Sequence, residues 1–184
     1  MAPPGGAMAF TFLKSQGLSV GRSLVEEGQL EAAGEIFRKA GRHDVNLLLP
    51  VDFVVARENK DDAETTVVAR ESIPEEMVGL DVGPLSTRIF AQAVQGAKTI
   101  LWNGPLGVFE RPPFSAGTEA MARALAEETA AGATTIIGGG DTVAAVRMAG
   151  VYEKMGHIST GGGASLEFLA GRSLPGLEAL SDVQ

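Results

Sequence analysis

The chain has 184 residues, of which 45% are hydrophobic and 21% are charged, and its formal net charge is −8 at pH 7. This composition is ordinary for one folded domain with a sizeable core, and it argues against intrinsic disorder. With no cysteine and two histidines, disulfides and thiolate or histidine-rich metal sites are excluded. The negative charge argues against a nucleic acid or an anionic membrane as the main partner. Charged residues interrupt every apolar stretch well short of the roughly 18 residues of a membrane span, and we expect a cytoplasmic protein.

The first half of the chain predicts helices and strands in an irregular order. The capping-box pattern Ser23-Leu24-Val25-Glu26 predicts the start of a helix that ends at Gly41. A charged, poorly periodic stretch over residues 58–76 is expected to be a peripheral hairpin or loop excursion. The other predicted elements are a helix over residues 7–14 and strands over residues 46–49, 52–56 and 65–69, the first two separated by Pro50.

From residue 79 onwards, apolar runs alternate regularly with amphipathic segments, which is typical of βαβ units. Parallel connections of this kind are right-handed. We therefore predict an α/β fold with a Rossmann-like, doubly wound parallel sheet in a three-layer α/β/α arrangement. The predicted order is helix 83–95, strand 99–102, helix 115–131, strand 134–137, helix 142–148, strand 157–159 and helix 164–170.

Three glycine clusters directly follow predicted strands of this second half. They are Trp102-Asn103-Gly104-Pro105, Gly138-Gly139-Gly140-Asp141 and Gly161-Gly162-Gly163. A glycine loop between a strand and a helix leaves backbone N–H groups free at a positive helix terminus, where phosphate binds well. Because parallel strands end at one edge of a sheet, the three loops are predicted to share one phosphate-bearing ligand.

Each of these features also has a purely structural interpretation. Asp141 is either a Mg²⁺ ligand beside the phosphates or the N-cap of the next helix, and the local sequence favours neither. The Gly161-Gly162-Gly163 run either stabilises charge on a moving phosphoryl group or forms a tight turn. Glu110 either binds ribose hydroxyls or faces solvent, as most lone charged residues do. The chain lacks Gly-x-x-x-x-Gly-Lys-Ser/Thr, and neither late glycine cluster completes Gly-x-Gly-x-x-Gly.

Six ordered motifs resemble phosphoglycerate kinase. They are Gly5-Gly6-Ala7-Met8-Ala9-Phe10-Thr11-Phe12-Leu13, Leu48-Leu49-Pro50-Val51-Asp52, Gly79-Leu80-Asp81-Val82-Gly83-Pro84, Trp102-Asn103-Gly104-Pro105-Leu106-Gly107-Val108-Phe109-Glu110, Gly138-Gly139-Gly140-Asp141-Thr142 and His157-Ile158-Ser159-Thr160-Gly161-Gly162-Gly163-Ala164-Ser165-Leu166-Glu167. The resemblance implies two Rossmann-like domains that close over a cleft. This chain is similar to most of the carboxyl-terminal domain, which binds Mg-ADP or Mg-ATP. The amino-terminal domain binds 3-phosphoglycerate or 1,3-bisphosphoglycerate, and the enzyme reversibly transfers a phosphoryl group between the latter and ADP in glycolysis.

The resemblance also implies roles for individual residues. Glu110 would bind ribose hydroxyls, and Asp141 would hold Mg²⁺. Thr160, Gly161, Gly162 and Gly163 would face the transferring phosphoryl group, near the interdomain hinge. The remaining nucleotide contacts would be Gly5 and Gly6 near the adenine, Leu24, Gly79, Leu80 and Val108 in its apolar slot, Asn103 and Pro105 beside the nucleotide, and Gly139, Gly140, Asp141 and Thr142 at the phosphates.

The chain departs from the family pattern in what it lacks. Residues 1–184 are similar to a single truncated domain, without the substrate domain and its catalytic arginine, and without a first strand-loop-helix that carries a phosphate-contacting lysine. We expect little or no kinase activity from the chain alone, and a tail over residues 170–184 that would dock on the missing domain. Other classes stay open: a nucleotide-binding module that needs a separate amino-terminal piece, a non-binding structural fragment or interaction protein, and a nicotinamide dehydrogenase domain, which the broken dinucleotide fingerprint disfavours.

Overall fold

The computed structural model describes residues 6–159 and 161–174, and the predictions for Gly5, Thr160 and residues 175–184 lie outside them. No helix in the described part is long and apolar enough to cross a lipid bilayer. In chain order the elements are α1 (Gly6–Ser15), α2 (Leu30–Arg42), β1 (Asp52–Ala56), β2 (Thr66–Ala69), β3 (Val78–Val82), α3 (Pro84–Val94), β4 (Thr99–Asn103), α4 (Ala116–Ala130), β5 (Thr134–Gly138), α5 (Gly140–Met148), β6 (His157–Ser159) and α6 (Gly162–Leu169).

The second half of the chain forms a parallel sheet in the order β4, β5, β6. Its register pairs Trp102 with Ile137 and Gly138 with Ser159. The carboxyl ends of the three strands therefore lie side by side at one edge, as the sequence predicts. The α/β class, with a parallel sheet flanked by helices, is confirmed.

The main core lies between this parallel sheet and helices α3, α4 and α5. Ile100 and Trp102 point into it from β4, while Leu101 between them faces the other side, because successive strand residues alternate. Leu125 of α4 and Ile137 of β5 are fully buried there. Burial of each such side chain contributes about 1.5–3 kcal/mol, so this core fixes α4 and α5 on the sheet.

The first half of the chain forms an antiparallel sheet that the sequence predicts only in part. Strand β1 is its centre, with β2 and β3 on either side. Strand β2 is the strand-like run of the predicted hairpin, whereas β3 is absent from the predictions because Gly79 and Asp81 interrupt its apolar pattern. Helix α1 covers this sheet, with the Phe10 ring centroid 4.8 Å from that of Phe53 on β1.

Two predictions in this half are wrong. Helix α2 begins at Leu30 rather than after Ser23, because the Ser23 hydroxyl accepts a hydrogen bond from the Gly79 N–H at 2.9 Å instead of capping a helix. Residues 46–49 form no strand, since no strand of the described chain pairs with them. The Ser23 contact instead ties the segment after α1 to β3.

Candidate functional site

A cavity of about 540 Å³ opens between α1, β3 and the loop that follows β4. The Gly6 N–H donates to the Leu106 carbonyl at 3.3 Å, and the Val108 N–H donates to the Leu80 carbonyl at 2.8 Å, so the loop is held to both elements. Six of the residues predicted to contact nucleotide line this one cavity, namely Gly6, Leu24, Gly79, Leu80, Pro105 and Val108.

The lining of the cavity is largely apolar. Phe10 and Phe53 belong to it and are buried, and Leu80 and Leu106 are buried beside them. Leu24 is 67% exposed at the same cavity. Apolar walls with a few polar groups are typical of sites for small ligands. These apolar walls suit a ligand with a flat apolar ring.

The three glycine loops meet at the carboxyl edge of the parallel sheet. A Cβ atom added to Gly162 would lie 2.7 Å from the Gly139 Cα and 2.8 Å from Asn103 Oδ1. A Cβ atom on Gly138 would lie 3.0 Å from the same Asn103 oxygen. Only glycines permit this close approach. We call Asn103, Gly138, Gly139 and Gly162 the glycine cradle.

One hydrogen bond links the cavity to the helix that starts at the glycine cradle. Gly104 lines the cavity, and its N–H donates a hydrogen bond of 2.7 Å to the Thr142 hydroxyl in the first turn of α5. Thr142 is buried. The predicted sites of the apolar ring and of the phosphates are therefore neighbours.

Asp141 lies exposed in the first turn of α5, next to the glycine cradle. The helix starts two residues earlier than predicted, with Gly139 as its N-cap at φ 91°, so the N-cap interpretation of Asp141 is wrong. Asp141 has no hydrogen bond or ion pair with any residue that the structure describes. Its carboxylate is therefore free to bind a ligand.

The described residues contain no group of three or more metal-ligating side chains. One exposed carboxylate nonetheless fits Mg²⁺, which proteins commonly hold with one or two carboxylates, phosphate oxygens and water. The charged residues that line the cavity, Glu26 and Asp81, are both acidic. The side chains that line the cavity therefore offer a polyanionic ligand no positive charge.

Glu110 is not brought into the cavity with Val108. It is exposed and lines a smaller recess of about 150 Å³ together with Ser115 and Met148. Its role at a ribose stays a prediction. Gly161 and Gly163 are exposed at the start of α6, while Gly162 is buried in the glycine cradle.

Asp81 has no role predicted from the sequence, yet it is 2% exposed and lines the cavity. Burial raises the pKa of its carboxyl to about 7, against the opposing effect of hydrogen bonds from the Gly117 and Val82 N–H groups. The nearby Glu119 charge raises this pKa further. A carboxyl within the apolar run of β3 is the signal that could have identified it.

Comparisons with known proteins agree with the motifs. The family described as "Phosphoglycerate kinase" matches residues 4–172. The chain is 56% identical to the phosphoglycerate kinase of Chlorobium limicola over 97% of this chain and 45% of that protein. It is 57% identical to the "Phosphoglycerate kinase, cytosolic" of Triticum aestivum over 97% of this chain and 44% of that protein.

Solved structures give the same result. The phosphoglycerate kinase structure from Coxiella burnetii aligns with a TM-score of 0.89 and 45% identity, over 96% of this chain and 45% of that one. The enzyme from Pyrococcus horikoshii aligns with a TM-score of 0.79 and 30% identity, over 97% of this chain and 44% of that one. The chain thus spans less than half the length of the relatives it matches. It belongs to the phosphoglycerate kinase family.

Proposed function

We propose that this chain is the carboxyl-terminal, nucleotide-binding part of a phosphoglycerate kinase and that it binds Mg-ADP or Mg-ATP. The observation that carries the proposal is the hydrogen bond from Gly104, in the lining of the apolar cavity, to Thr142 at the start of α5, beside the glycine cradle. This geometry suits a ligand with a flat apolar ring at one end and phosphates at the other. An adenine nucleotide has that form.

The adenine ring would occupy the cavity against the wall that Leu80 and Val108 form together. The hydrogen bond from the Val108 N–H to the Leu80 carbonyl joins these two residues into one wall. Phe10 and Phe53 supply apolar surface beside them. Pro105 would lie where the adenine ring joins the sugar, because it lines the cavity next to Gly104, whose N–H is bonded to Thr142 beside the glycine cradle.

The phosphates would lie at the start of α5. The N–H groups of Gly140 and Asp141 in the first turn of α5, together with the positive end of the helix dipole, favour an anion there. Mg²⁺, held by Asp141 and phosphate oxygens, would offset the acidic surroundings. Asn103, at the centre of the glycine cradle, would contact the same phosphates.

Phosphoryl transfer would occur beside Gly161, Gly162 and Gly163, at the start of α6. Backbone N–H groups placed where charge develops stabilise a transferring phosphoryl group. The acceptor or donor, 3-phosphoglycerate or 1,3-bisphosphoglycerate, would be held by sequence outside these 184 residues. We therefore propose that the chain alone has little or no kinase activity, and that the larger enzyme functions in glycolysis.

Isothermal titration calorimetry with ADP, with and without Mg²⁺, tests the binding proposal. Asp141→Ala should weaken Mg-ADP binding by about tenfold or more, equivalent to about 1.4 kcal/mol, and leave adenosine binding unchanged. Glu153→Ala, an exposed carboxylate in the turn after α5, is the matched control and should change neither. Absence of heat and of a thermal shift with Mg-ADP would favour the non-binding structural fragment instead.

A complementation assay separates the binding module from the inactive fragment. The amino-terminal domain of a relative is mixed with this chain, and ATP formation from ADP and 1,3-bisphosphoglycerate is measured. A rate above the sum of the two separate pieces supports a module that completes an enzyme. A rate equal to the sum of the separate pieces rejects complementation.

A further inference from the structure

Asp81 caps a helix that is distant from it in sequence. Its Oδ2 accepts a hydrogen bond of 2.8 Å from the Gly117 N–H in the first turn of α4, and its Oδ1 accepts one of 2.8 Å from the Val82 N–H. The N-cap position of α4, Ser115, makes no capping hydrogen bond with its side chain. The carboxyl on β3 therefore takes the place of a local cap, next to the positive end of the helix dipole.

Two glycine backbones pack directly on the Asp81 carboxyl. A Cβ atom on Gly117 would lie 2.6 Å from Asp81 Oδ1, and one on Gly107 would lie 2.6 Å from Asp81 Cγ and from the Phe114 carbonyl oxygen. Neither glycine has a positive φ angle, so space rather than backbone conformation requires glycine here. The carboxyl is thus enclosed between β3, α4 and the loop after β4.

This contact continues into the wall of the cavity. Thr118, next to Gly117, accepts hydrogen bonds with its hydroxyl from the Leu106 N–H at 3.0 Å and the Gly107 N–H at 3.1 Å. Leu80, next to Asp81, accepts the hydrogen bond from the Val108 N–H. Thr118 and Leu80, the residues next to Gly117 and Asp81 in sequence, therefore both hold residues 106–108 by hydrogen bonds.

We infer that Asp81 is a positioning residue, which fixes the start of α4 against β3 and thereby sets the position of the cavity wall at residues 106–108. The inference rests on the proposed function in one respect: the ligand of that wall is taken to be the adenine ring. Asp81 itself is enclosed by backbone and acts on the ligand through Gly107 and Val108.

Asp52 offers a matched control because it caps another helix in the same way. Its carboxyl accepts hydrogen bonds from the Leu85 N–H at 3.0 Å and the Ser86 N–H at 2.7 Å, at the start of α3. It is buried, as Asp81 is, but it does not line the cavity. Asp52→Asn should therefore disturb a helix cap without moving the cavity wall.

The test follows backbone amide proton shifts by NMR during a pH titration of the whole chain. In the native protein, the amides of Gly117 and of residues 106–108 should shift together with a midpoint near the Asp81 pKa of about 7. Two other charged groups near Asp81 are Glu119 on α4 and Glu26 in the cavity lining. To assign the shared transition to Asp81, it must vanish in Asp81→Asn. It must persist in Asp52→Asn and in Glu119→Gln. If the amides of residues 106–108 do not titrate together with the Gly117 amide in the native protein, the inference is overturned. This measurement uses the native protein alone, so it does not depend on whether a variant folds.

Adenosine binding gives the second readout. Asp81→Asn should weaken adenosine binding by about tenfold, and Asp52→Asn by less than about twofold. Equal weakening in both variants would show a general folding effect and overturn the inference. If native protein shows the shared titration but binds no adenosine, the proposed function fails while the positioning role of Asp81 stands.

Discussion

Replacement of Asp81 by asparagine should change how stability depends on pH. Below about pH 4 the carboxyl is protonated in both the folded and the unfolded chain. As the pH rises from about 4 to about 7, the unfolded chain releases this proton while the folded protein keeps it, so the free energy of unfolding falls. Above about pH 7 both states are ionised and the loss is complete.

The magnitude follows from the burial of the carboxyl. Its pKa rises from 3.8 to about 7 on folding, which corresponds to about 4 kcal/mol at about 1.4 kcal/mol per pKa unit. Asparagine carries no charge, but its amide group can accept only one of the two backbone hydrogen bonds, at a cost of about 1–3 kcal/mol. The variant should therefore be less stable than the native protein near pH 4 and as stable or more stable near pH 8.

Urea unfolding, followed by the fluorescence of Trp102, the single tryptophan, measures this difference across the pH range. The stability of Asp81→Asn relative to the native protein should rise by about 4 kcal/mol between about pH 4 and pH 8. Subtraction of the two curves removes the contribution of all other carboxyls. A difference that stays constant over this range would refute the assignment of a raised pKa to Asp81.

Three further substitutions test the path from the cavity to the phosphates. Asp141→Ala should raise the Kd of Mg-ADP by about tenfold with no effect on thermal stability, as measured by calorimetry and thermal melts. Thr142→Val keeps the side-chain shape but removes the acceptor of the half-buried Gly104 N–H, so urea unfolding should show a loss of about 1–3 kcal/mol; no loss would mean that water replaces the hydroxyl. Gly162→Ala places a methyl group against Gly139 and should cost about 1–3 kcal/mol and weaken Mg-ADP binding; unchanged binding would remove the glycine cradle from the phosphate site.

The parallel half of the fold is predictable from the sequence because its signals are local. A glycine cluster lies at or just after the end of each strand there, and the helices between the strands have amphipathic patterns. The position of Asn103, Gly139 and Gly162 at one sheet edge follows from parallel strand topology alone. The distances between these three residues, in contrast, come only from the structure.

The antiparallel half is less predictable because long-range contacts decide it. The Ser23 capping-box pattern is overridden by a partner 56 residues away, the Gly79 N–H. The role of Asp81 likewise depends on Gly117, 36 residues further along the chain. No local pattern records such pairings, so the partner of the Asp81 carboxyl is identified only in the folded protein.

NMR mapping of Mg-ADP binding to the isotope-labelled chain tests whether one ligand reaches from the cavity to the glycine cradle. We expect the amides with the largest shift changes to form one path, from Leu80 and Val108 through Gly104 to Gly139 and Thr142. Shift changes confined to a second, apolar groove, which Leu101, Ile136 and Phe168 line between the parallel sheet and α6, would contradict this expectation. No changes at saturating Mg-ADP would contradict it as well.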